Sequence, residues 1–74
     1  MSEEIQIVEI DTEPIELFKL IKSENLVGSG GEAKFVVGEG MVMLNGEVET
    51  RKRKKVFSGD LVQFADFKLK VQLK

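Results

Sequence analysis

The chain of 74 residues has no Cys, no His and one Pro, and its five Phe are the only aromatic residues. That length allows one domain with one modest core, and the missing thiols and imidazoles exclude disulfide frameworks, the usual zinc sites and the commonest nucleophile–base pairs. The formal net charge of -2 conceals a segregation, because residues 1–49 hold eleven acids against three lysines while residues 50–74 hold eight bases against Asp60 and Asp66.

Ile5, Ile7, Val8 and Ile10 alternate imperfectly with Glu4, Gln6 and Glu9. That pattern predicts a strand over 4–10 with a bulge or register change at Val8. Asp11-Thr12-Glu13-Pro14 reads as a helix start: a capping side chain, acids at the positive end of the dipole, and a proline whose missing N–H costs nothing there. Pro14, Leu17, Phe18 and Ile21 then share one face, so a first helix is expected over 13–23, ending at Ser23-Glu24-Asn25. In Ser29-Gly30-Gly31-Glu32 the spacing is that of a capping box, with Ser29 taking the third N–H and Glu32 returning to the N–H of Ser29. This second helix should run through Val37 and stop at Gly38 or Gly40. So short a helix is unstable alone and must lean on the first through Ala33, Val36 and Val37.

Past Met41 the period changes to that of strands. Met41–Leu44, Asn45-Gly46 and Glu47–Thr50 form a hairpin signal, with Asn-Gly suited to the two positive-φ positions of a type I′ turn. The run Arg51-Lys52-Arg53-Lys54-Lys55 precedes Val56-Phe57 and a turn at Ser58-Gly59-Asp60. Leu61–Phe64 reads as a strand, Ala65-Asp66 as a turn, and Phe67–Lys74 as a strand with Phe67, Leu69, Val71 and Leu73 inward. The order predicts one α+β domain over 1–74, with two short helices packed on a small, mainly antiparallel sheet of four to five strands. All five Phe are assigned to the core, and Glu47 and Glu49 to solvent.

Function should lie on the surface. So small a chain has little room for a pocket of about 300 Å³, no Ser, Lys or carboxylate has a base partner at recognisable spacing, and neither cofactor nor metal is implied. No apolar run nears the roughly 18 residues of a membrane span, and the acidic start is unlike a secretory signal. A cytoplasmic protein is expected. Five consecutive cations gain nothing in folding, so Arg51, Lys52, Arg53, Lys54 and Lys55 point to phosphate contact, against the plainer reading of a solvated loop offset by the acidic half. Neutralising five phosphates would give a log–log salt slope of roughly -4 to -5. Gly30 and Gly31 could let a phosphate approach free N–H groups with Lys34 one turn on. On spacing alone, a tight turn explains the glycine pair better. Hairpin geometry accounts for Asn45.

The ordered string of a helix, Ser29-Gly30-Gly31-Glu32-Ala33-Lys34, Gly40-Met41-Val42-Met43-Leu44-Asn45-Gly46, a basic segment and Gly59-Asp60 before a strand resembles the alpha-L RNA-binding motif. This is the domain family named after the fourth protein of the small ribosomal subunit. The resemblance spans about 14–64 and is greatest to small stand-alone bacterial members. It implies a non-catalytic RNA-binding module for structured or ribosomal RNA. The contacts would come from the start of the second helix (Ser29, Gly30, Gly31, Lys34) and from the basic segment 51–55. Gly30 stands where the motif usually has Arg, and five bases stand where a Pro-Ser type segment is usual. A monomer is expected, with a ribosome-associated protein as a further partner. The rival expectation is a protein-interaction module that docks an acidic or ribosomal protein.

Overall fold

Alternation from Phe67 to Leu73 organises the sheet of the computed structural model, which describes residues 4–74. In chain order the elements are β1 (Ile5–Ile10), β2 (Ile15–Glu16), α1 (Leu17–Ser23), α2 (Gly30–Gly38), β3 (Val42–Leu44), β4 (Glu47–Val48), β5 (Lys55–Val56), β6 (Leu61–Phe64) and β7 (Phe67–Leu73). Five strands form one sheet in the order β1-β7-β6-β3-β4, and β2 and β5 form a separate two-stranded ribbon. Among the described residues only the β1–β7 pair is parallel, and every other pair is antiparallel. The α+β architecture and the mainly antiparallel sheet are as expected.

Both helices cover one face of the sheet. Leu17, Leu20 and Ile21 of α1 and Ala33 and Val37 of α2 are fully enclosed, and they meet Val42, Val62, Leu69 and Val71 from the strands. Short helices gain their stability from such packing and not from propensity. Phe67 and Leu73 keep the inward parity but lie at the strand ends, 45% and 40% exposed, which corrects their assignment to the core.

Two local readings are corrected. Strand β1 contains no bulge, because Ile5 through Ile10 pair with Lys68 through Leu73 in unbroken register. The irregular pattern arises because Val8 and Ile10 face the core while Ile5 and Ile7, each 54% exposed, face outward. The first helix begins at Leu17, not at residue 13. Residues 15–16 are extended and pair with β5, and the Glu13–Pro14 peptide bond is cis. The opening N–H groups of α1 find carbonyls and not a capping side chain: Leu17 donates to Lys54 at 2.9 Å and Phe18 to Lys52 at 3.1 Å. Glu13 instead accepts from the N–H of Ser58 at 2.7 Å.

The second helix follows its signals more closely. Ser29 Oγ accepts from the N–H of Glu32 at 3.1 Å, while Glu32 reaches one residue further than a standard capping box and takes the N–H of Gly28 at 2.8 Å. At its end Gly40, with φ of 78°, reverses the chain. Its N–H bonds to the carbonyl of Val37, and that of Met41 to the carbonyl of Val36. These are the paired bonds of a Schellman motif. The next turn places Asn45 at φ 53° and Gly46 at φ 87°, as a type I′ hairpin requires. Asn45 does more than turn the chain, since its side chain donates to Asp60 at 3.1 Å and accepts from the N–H of Leu61 at 2.9 Å.

Candidate nucleic-acid interface

The basic run is a fixed turn. Its start is closed by the N–H of Lys54 bonding to the carbonyl of Arg51 at 3.1 Å, and its end is held where Lys55 pairs with Glu16 between β5 and β2. Because the carbonyls of Lys52 and Lys54 also cap α1, the turn is pinned to the start of that helix. Arg51, Arg53, Lys54 and Lys55 line one open depression, and Lys52 lies outside it.

Phe18 joins this turn to the second helix. It is 8% exposed, and it presents its ring to two cations, with the Lys34 ammonium 5.0 Å and the Arg53 guanidinium 5.8 Å from the centroid. A ring quadrupole attracts both charges and so holds like charges from α2 and the basic turn side by side. Residues that are 19 positions apart in sequence thus share one surface.

The five cations are not equivalent. Arg51 is clamped by Glu49: its backbone N–H and its Nε both donate to Oε2, at 3.0 and 2.9 Å, and Nη2 donates to Oε1 at 3.3 Å. The side-chain hydrogen bonds from Arg51 hold the Glu49 carboxyl below the usual carboxylate range, and the same bonds raise the guanidinium. The side chain of Glu49 is only 12% accessible, so the expectation that it faces solvent is corrected. Arg53 and Lys19 each lie 3.6 Å from Glu16 Oε1, a buried atom that accepts no hydrogen bond and is balanced by these two charges at longer range. Lys52, Lys54 and Lys55 make no ion pair or side-chain hydrogen bond among the described residues.

At the start of α2, Gly31 is exposed and Gly30 half-buried. The first intrahelical bond comes only at Ala33, which donates to the carbonyl of Ser29 at 3.0 Å. A Cβ at Gly30 would sit 3.7 Å from Cδ of Lys22. The last turn of α1 therefore brings a cation to this corner, which no motif flagged, since Lys22 reads in sequence as an ordinary outward lysine. Phe35 and Phe57 are 62% and 46% exposed, which corrects their assignment to the core. For Phe35 the helical period already carried the sign, since it falls off the face that Ala33, Val36 and Val37 share. Among the described residues no group of His, Cys, Asp or Glu could hold a metal ion, and no helix is long and apolar enough to cross a membrane.

Comparison with known proteins agrees with this architecture. Residues 8–72 match the S4 domain family. YbcJ of Escherichia coli (strain K12) is 44% identical over 57 residues, which is 77% of this chain and 81% of YbcJ. RlbA of Bacillus subtilis (strain 168), a probable ribosome maturation protein, is 37% identical over 60 residues, 81% of this chain and 84% of RlbA. The solution structure of E. coli YbcJ superposes with a TM-score of 0.66 at 35% identity, covering 97% of this chain and 90% of YbcJ; it is described as revealing an alpha-L motif involved in RNA-binding.

Proposed function

Because the chain belongs to the S4 domain family, we propose that it is a non-catalytic module that binds structured RNA, with ribosomal RNA as the favoured class. It would act in the cytoplasm and as a monomer. One observation carries the reading: Lys34 and Arg53 converge over the ring of Phe18, so the second helix and the basic turn present one cationic surface. The polyanionic backbone of RNA is the ligand that matches it. The likeness to RlbA, named for ribosome maturation, favours RNA of the ribosome.

Lys52, Lys54 and Lys55 are the principal phosphate contacts, since none of them forms an ion pair with a carboxylate among the described residues, although Lys54 acts on Glu49 through its charge. Lys34 and Arg53 extend the surface toward α2, where the N–H groups of Gly30 and Gly31, flanked by Lys22, donate to a further phosphate oxygen. Arg51 contributes least, because Glu49 already occupies its guanidinium. With Lys34, Lys52, Arg53, Lys54 and Lys55 neutralising about five phosphates, the log–log salt slope should be roughly -4 to -5.

Fluorescence anisotropy of a labelled ribosomal RNA hairpin, titrated at several salt concentrations, tests this. Replacing Lys52, Lys54 and Lys55 together by Gln should weaken binding alike for unrelated hairpins and should shrink the slope by about 2 to 3. A slope near zero for the unaltered protein, or an unchanged affinity in the triple variant, would refute the assignment.

A further inference from the structure

Phe35 is the most exposed large apolar side chain among the described residues, at 62%. It follows Lys34 on α2, one residue and so about 100° around the helix from the side chain that lies over Phe18. Its neighbours along the helix decide what could cover it. Gly31 precedes it by four positions and Gly38 follows by three, the spacings that place side chains beside one another. Packing demands neither glycine: a Cβ at Gly38 would meet nothing within 4 Å, and one at Gly31 only Ser29 Oγ at 3.9 Å. The ring therefore stands between two stretches of bare backbone. The remaining neighbours at those spacings are Glu32 and Glu39, so no other apolar side chain of α2 flanks the ring. A protein partner would need a broader apolar patch than α2 offers here. A nucleobase, flat and uncharged, suits the site.

We propose that Phe35 is a stacking platform for a single unpaired base, so that the preferred RNA is a helix interrupted by a bulged or looped-out nucleotide. The inference rests on the RNA-binding reading above. Phosphates lie on the basic turn while the extruded base lies on Phe35, because aromatic faces beside a positive groove take bases of any identity.

The test uses one RNA hairpin carrying a bulged 2-aminopurine and the same hairpin with that nucleotide deleted. The unaltered chain should prefer the bulged hairpin by about tenfold and should quench its fluorescence. Phe35→Ala should lose the quenching and the preference, keep its affinity for the fully paired hairpin, and leave the salt slope of both unchanged. Phe35→Leu, which keeps apolar area without a π face, should behave like Phe35→Ala, and Phe35→Trp should restore both signals. Equal affinity of the unaltered chain for the two hairpins overturns the proposal while the RNA-binding reading stands. So does an equal loss on both in Phe35→Ala, or a concentration-dependent dimer in sedimentation that this variant abolishes, which would assign the ring to a second copy. Failure of both hairpins to bind at any salt removes the RNA-binding reading and this inference with it.

Discussion

Glu49 and Arg51 lie two positions apart, yet their pairing sets how much of the basic turn is free to act. The carboxylate holds both a backbone N–H and the guanidinium of Arg51, so it orders the entrance to the turn while withdrawing one cation from it. The folded-state pKa of Glu49 is depressed from its ordinary value of 4.5. Its contribution to stability is therefore present above that value and is lost as pH falls through the lower folded value. Thermal melts of the unaltered chain and Glu49→Gln should differ by a steady margin from pH 7 to 5, and the margin should close below about pH 4.5. Ala65 is a second residue whose state the sequence hides. It sits at φ 54° in the two-residue turn between β6 and β7, a left-handed conformation that is costly for alanine. Ala65→Asn should raise stability by about 0.5–1 kcal/mol, read as an increased midpoint in urea. Side-chain destinations of this kind are poorly legible in one chain. Phe64 and Phe57 look alike in sequence, and only the assembled sheet decides which is covered.

Elements with local signals were legible, and those that depend on distant partners were not. The Ser29 cap, the Gly40 stop and the Asn45-Gly46 turn each act within a few residues, so composition alone places α2 and its hairpin. Ser29→Ala should cost about 1 kcal/mol by leaving the N–H of Glu32 without its acceptor, measurable by chemical denaturation. The start of α1 shows the opposite case. Pro14 and its acidic neighbours fit a first helical turn, but pairing of Ile15 with Val56 pulls the segment into a strand, and carbonyls of the basic turn meet the helix N–H groups. Nothing near residue 15 announces a partner some forty positions away. Strand pairings that short, and the ring contact from Lys34 to Phe18, emerge only once the chain has closed. The cationic residues were thus readable as a list, while their convergence was expected from the family resemblance and from no spacing in the chain.

Across the whole molecule, the sheet is joined through β7, which lies between β1 and β6. Leu69 and Val71, each 1% exposed, carry the inner face of this interior strand. Leu69→Ala should destabilise by about 2–5 kcal/mol through lost burial and a residual cavity, followed by circular dichroism in guanidinium, and should weaken RNA binding only in proportion to the unfolded fraction. The parallel register of β1 on β7 has a consequence for the order in which the protein assembles. As the chain emerges during synthesis, Val8 and Ile10 have no mate until residues 67–73 have been made, so β1, made before the other described strands, is among the last to dock. A nascent chain arrested before Phe67 should expose that strand to protease, and one released beyond Lys74 should protect it.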